Sequence, residues 1–188
     1  MVIRFNRLLS LLLLVLALVG AAEIPRHNMR LTAQVAGIAL DESDGQLKAT
    51  FELYDTSVDQ PIGKKRQVVT STGETIEQCL KNARASYGKE LFIQDAAALI
   101  IDGRHHNEIL KQVFLYYSQY KNDQMALPVF FTLGQSAGEI FEGEGEVISM
   151  PLAASVWNMK KTQTIKDLMN GAGQRVMVRG KGSYEILS

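Results

Sequence analysis

From Gln67 to Glu142 the hydrophobic pattern predicts strand, helix, strand, helix, strand, helix. That order constrains the fold most, because a strand returning through a helix to a parallel neighbour closes right-handedly almost always. Ser71 and Glu74 have the capping-box spacing and predict a helix start there. Ile76, Cys79, Leu80, Ala83 and Tyr87 then fall on one helical face, with Gly88 as a left-handed stop. Ala96 to Ile101 is continuously apolar and ends at Asp102-Gly103, which suits a strand covered on both faces. Ile109, Leu110, Val113, Phe114 and Tyr117 mark a second helix, and Leu127 to Leu133 a further strand. Pro128 cannot donate to a ladder and so belongs at that strand's start or on an edge. Ser136 with Glu139 repeats the capping-box pattern and predicts a short third helix.

Upstream, Leu31, Ala33 and Val35 alternate with polar residues. Leu47, Ala49, Phe51 and Leu53 do the same with Lys48, Thr50, Glu52 and Tyr54, which predicts one face on a core and one toward water. Asp44-Gly45 between them is a tight-hairpin signal, since both central positions of the favoured turn need positive φ. The expected fold is α/β (α+β): a mixed sheet formed by an antiparallel hairpin plus βαβαβ-type crossovers, with helices packed on the sheet. After Glu142 the pattern is sparser. Gly143 to Glu146 predicts a loop and Pro151 to about Lys160 a helix; Thr164 with Asp167 opens a short helix ending near Gly171. Arg175–Arg179 and Ser183–Leu187 predict terminal strands around Gly180-Lys181-Gly182, so residues 143–188 form a less sharply defined C-terminal extension.

Residues 1–22 have the layout of an export signal or N-terminal anchor: Arg4 and Arg7, an apolar run from Leu8 to Val19, then Gly20-Ala21-Ala22. The run is shorter than the roughly 20 residues that cross a bilayer comfortably, which favours cleavage after Ala21 or Ala22. Residues 23–188 fit one domain. Cys79 is the lone cysteine and cannot form an internal bridge; its place on the helical stripe makes it a small buried apolar residue. Twenty basic and twenty acidic residues balance, so the chain has no nucleic-acid footprint. Gly63-Lys64-Lys65-Arg66 is expected to be a solvated loop, not a site for anionic lipid.

Four segments resemble the N-terminal domain of the spore-germination receptor C-subunit lipoproteins, the Ger(x)C family. They are Val35-Ala36-Gly37-Ile38-Ala39-Leu40-Asp41, Gly73-Glu74-Thr75-Ile76, Leu91-Phe92-Ile93 leading into Ala98–Ile101, and Gly134-Gln135-Ser136-Ala137. Their order and spacing carry the resemblance. It implies a non-catalytic exported component that acts in spore germination through contacts with the membrane subunits of a germinant receptor. It also implies placement at the outer face of the cytoplasmic membrane, where the membrane surface is a second contact, and it names no small-molecule ligand. The sequence departs from the family in three ways. Gly20-Ala21-Ala22-Glu23 stands where family members carry a lipid-accepting cysteine, Asp95 stands where a histidine is common, and Ser188 ends the chain where relatives continue into further domains. The expectation is a first domain alone, without lipid anchoring at the usual cysteine.

The rival reading is an exported hydrolase or other binding domain that uses Gly134-Gln135-Ser136-Ala137-Gly138, which matches the GxSxG nucleophile elbow. That fold supplies its acid and histidine after the serine, whereas His27, His105 and His106 all precede Ser136. Without a base the hydroxyl is a weak nucleophile, so Ser136 is expected to cap a helix. His105-His106 is an adjacent pair whose side chains diverge on a helix, and it is assigned to a turn. Asp41-Glu42-Ser43-Asp44-Gly45 lacks the glycine and glutamate register of a calcium loop. Gly143-x-Gly145 lacks the rest of a dinucleotide fingerprint. No catalytic, cofactor-binding or metal residues are assigned. Trp157, with Val156 and Met159, is expected to pack on the sheet, with a partner-facing aromatic as the alternative.

Overall fold

The computed structural model describes residues 32–54, 66–120, 125–158, 163–172 and 175–187. The expected export segment 1–22, Leu31, the Gly63–Lys65 part of the basic run, Met159 and Lys160 lie outside them. The expected hairpin is built from β1 (Thr32–Ser43) and β2 (Gln46–Tyr54). They pair antiparallel across a turn in which Asp44 has φ 53° and Gly45 φ 74°. A register shift between Val35 and Gly37 kinks β1. β3 (Arg66–Gly73) pairs antiparallel with the outer side of β2 in unbroken register.

The crossovers follow. α1 (Ile76–Tyr87) leads to β4 (Glu90–Phe92) and β5 (Ala98–Ile101), which lie parallel to successive parts of β1. α2 (His106–Tyr120) leads to β6 (Val129–Thr132), parallel to β5. A 3-10 helix (Ala137–Phe141), α3 (Ser149–Asn158) and α4 (Ile165–Met169) then precede β7 (Val176–Arg179), parallel to β6. β8 (Glu185–Leu187) folds back antiparallel to β7. The eight strands form one mixed sheet in the order β3-β2-β1-β5-β6-β7-β8, with β4 off that path beside β1. Pro128 sits just before β6, in an isolated bridge to Thr164, where its missing N–H costs the ladder nothing.

Each face of the sheet has its own core. On the first, Phe51, Leu53, Leu99, Ile101 and Phe131 meet Ile76, Cys79 and Ala83 of α1 and Ile109, Val113 and Tyr117 of α2. The second joins Ala39, Ile100 and Phe130 to Ile140 and Phe141 of the 3-10 helix and Leu152 and Val156 of α3. β5 is buried on both sides, as its apolar run predicts.

Several local expectations change. α1 starts one turn later than the Ser71/Glu74 spacing predicts: Thr75 is its N-cap and accepts from Gln78 N, while Ser71 lies in β3 and donates to Cys79 O at 2.7 Å. Ser136 occupies the N-cap position of the 3-10 helix without a side-chain cap bond. Thr164 and Asp167 do form the capping box of α4. The polar residues of β2 do not all face water: Thr50 and Glu52 are buried, because the second helical layer covers that face. Arg66 is buried too, instead of closing a solvated loop. Trp157 is 65% exposed and points away from the sheet, whereas its neighbour Val156 is buried.

Candidate functional site

The polar residues at the centre of the sheet join the two helical elements of the second face to the strands. Glu52, in mid-β2, accepts from Ile148 N (2.7 Å), Ser149 N (2.9 Å) and the Ser149 hydroxyl, so a strand carboxylate caps the start of α3. Such charge-assisted bonds also suit the positive end of a helix. Burial pushes the Glu52 carboxyl above its ordinary value, against the hydrogen bonds from Ser149 and Ile148 and the charge of Arg66. Arg66 lies 3.9 Å from Glu52 and donates through Nη2 to Glu142 O and Gly143 O. It therefore clamps the loop between the 3-10 helix and α3.

Asp41, at the end of β1, does the same for the 3-10 helix by accepting from Ala137 N and, at 3.0 Å, Gly138 N. Burial raises its carboxyl, opposed by those two bonds and by one from the Ser136 hydroxyl. Two of the segments that carry the family resemblance thus meet in space: the aspartate of VAGIALD caps the helix that GQSA opens. Gly37 belongs to the same arrangement, since a Cβ there would fall 1.7 Å from Ser149 Oγ. Nothing in local spacing reveals these partners, which lie nearly a hundred residues apart along the chain.

The histidines serve the neighbouring turn. Asp102 accepts from Arg104 N, Nε and Nη2. Burial alone would raise this carboxyl, but the Arg104 hydrogen bonds and charge and the His105 contact outweigh it and lower the pKa. His105 stands 3.4 Å from Asp102 and 3.5 Å from Glu42, and His106 Nδ1 pairs with Gly103 O at 2.8 Å. His106 also stacks edge-on against Phe131. Among the described residues no hydrogen bond joins Ser136 to a histidine. Its backbone, at φ −64° and ψ 139°, is ordinary extended chain instead of a strained elbow. Cys79 is buried, donates to Leu47 O, and has its thiol pushed up to about 11 by burial. Among the described residues no group of three or more potential ligands could hold a metal ion, and no helix is long and apolar enough to cross a membrane.

The surface offers contact features instead. A groove of about 470 Å³ between α1, β4 and α2 is lined by Leu80, Leu91, Ile93, Tyr116 and the 37% exposed Phe92 and, in equal number, by Glu77, Lys81, Arg84, Glu90 and Gln94. The Arg84–Glu90 ion pair, at 2.6 Å, lies at its rim. Leu91-Phe92-Ile93 is the third segment carrying the resemblance, so that motif supplies a surface. On α3, Met150 and Trp157 are exposed two turns apart on one side of the helix.

These features define a mixed-sheet α/β domain whose central polar residues are spent on internal links and whose surface carries a partly apolar groove beside β4 and the exposed Met150 and Trp157. The family model described as the spore germination protein N-terminal domain matches residues 26–170, and the chain belongs to that family. No curated protein and no solved structure matches it.

Proposed function

We propose that this chain is an exported, non-catalytic component of a germinant receptor, acting at the outer face of the cytoplasmic membrane by contact with the receptor's membrane subunits. Family membership places the chain among spore germination proteins. The observation that carries the finer reading is the groove beside β4, where a segment resembling the family puts a partly exposed Phe92 among Leu80, Leu91, Ile93 and Tyr116 with charged residues around them. Buried aromatic anchors in pockets supply most of the energy of protein–protein contacts. Deletion of the gene in its spore former is expected to slow germination with nutrients, and Phe92→Asp to reproduce the defect with the fold intact. Normal germination of both strains, with no receptor subunit co-purifying, would overturn the reading. Ester hydrolysis abolished by Ser136→Ala in a folded protein would favour the hydrolase instead.

A further inference from the structure

Among the described residues no strand pairs with the outer edge of β3, and the ladder shows which of its backbone groups face outward. The Asp44-Gly45 turn closes on Ser43 and Gln46, and in a two-residue hairpin that flanking pair is hydrogen-bonded. Alternation from there turns the even-numbered residues of β2 toward β1 and its odd-numbered residues toward β3. Leu53, Phe51 and Ala49 therefore bond Gln67, Val69 and Ser71, which leaves Arg66, Val68, Thr70 and Thr72 facing outward. Two contacts agree with this parity: Arg66 N donates to Gly145 O, and Thr72 O accepts from Asn82 Nδ2. Between these closed ends the N–H and C=O of Val68 and Thr70 have no partner among the described residues.

Edge strands are commonly protected by lysine, proline, bulges or inward charges. From Gln67 to Gly73 the edge has no charge and no proline, its register is unbroken, and Val68 is 40% exposed. We propose that this edge is a docking site for an uncharged extended peptide segment of a partner protein, added as a further strand. The closed ends limit the added strand to about five residues. A second copy of the chain does not fit, because its eight-residue β3 would run into Gly145, which bonds Arg66 N, and Asn82, which bonds Thr72 O, at the closed ends. The proposal rests on the edge geometry and is independent of the germination reading.

The probe is acetyl-Thr-Val-Thr-Val-Thr-amide in two forms, one N-methylated at alternate residues and one at every residue, added to the full chain in mild detergent. The alternately methylated peptide keeps one bonding edge and is expected to slow amide exchange at Val68 and Thr70. The fully methylated peptide is expected to bind at least about tenfold more weakly. Thr70→Pro removes an outward donor and should weaken the first peptide by a similar factor; protection of the α1 amides checks its fold. Val68→Lys retains every backbone group and should also weaken it. Equal binding of the two peptides would overturn the proposal. So would Val68 and Thr70 amides already protected without peptide, which would mean the chain's own segments fill the edge. Dimerisation abolished by Val68→Lys would overturn it as well, by putting a second copy there.

Discussion

The two faces of the sheet are held by different physics. On the first, α1 and α2 press apolar stripes against Phe51, Leu53 and Phe131, and the side-chain bonds of Ser71, Cys79 and Asn82 add to that burial without a strand carboxylate capping either helix. On the second, Asp41 and Glu52 reach out of the strands to the backbone N–H groups at the starts of the 3-10 helix and α3. Burial gives a helix a place to lie; a carboxylate bonded to its first amides also sets the residue at which it begins. The second face has the smaller buried apolar cluster, and α3 leaves Met150 and Trp157 uncovered, so directional links compensate for a smaller apolar contact.

The largest effect should separate the faces. Glu52→Ala strands the Ile148 and Ser149 amides beside an uncompensated Arg66, and should lower unfolding free energy by about 3–5 kcal/mol in urea titration. On the first face Ile109→Ala should cost about 2–5 kcal/mol through the cavity alone. If Glu52→Ala costs under about 1 kcal/mol, the second face is held by burial like the first. Gly37→Ala should cost about 1–3 kcal/mol by driving a methyl into Ser149, and Ser149→Gly should recover part of that in the double variant. Thr75→Ala should cost about 1 kcal/mol, the loss of a local cap, and helix content by circular dichroism locates it at α1.

The pH dependence is smaller and has a definite sign. Burial raises Glu52 above 4.5, so the folded state binds its proton more tightly than the unfolded state does. Its contribution is fully present below 4.5 and declines as pH rises through the raised folded value. The wild type's margin over Glu52→Gln should therefore be wider near about pH 4 than near about pH 7, read from paired urea midpoints. Asp102 behaves oppositely: its pKa is lowered, so its contribution is present above 3.8 and lost as pH falls through the lower folded value. A margin that does not change with pH would remove the desolvation account of Glu52.

The same contrast explains what the sequence made legible. Ile76, Cys79, Ala83, Ile109, Val113 and Tyr117 announce the first face because helical periodicity is local. The hairpin turn, β5, the α4 capping box and the terminal strands were legible for the same reason. Thr50 and Glu52 occupy alternate positions of β2 and look solvated, since the helices that bury them come much later in the chain. Ser71/Glu74 and Ser136/Glu139 have capping spacing, yet Thr75 caps α1 and Asp41 bonds the first amides of the 3-10 helix. Spacing alone cannot rank two hydroxyls four residues apart or detect a cap supplied by a distant strand. Arg66 and Trp157 exchange their expected places because a buried guanidinium found loop carbonyls to bond, while the indole lies on the outer side of α3. The resemblance motifs were visible, but their roles as partners across the sheet were not.

Residue-resolved hydrogen exchange on the wild type and Glu52→Gln tests the separate anchoring of the faces most directly. The account predicts that amide protection in α3, around Leu152 to Val156, falls while protection at Cys79 to Ala83 in α1 is unchanged. Equal loss in both helices, or none in α3, would contradict it.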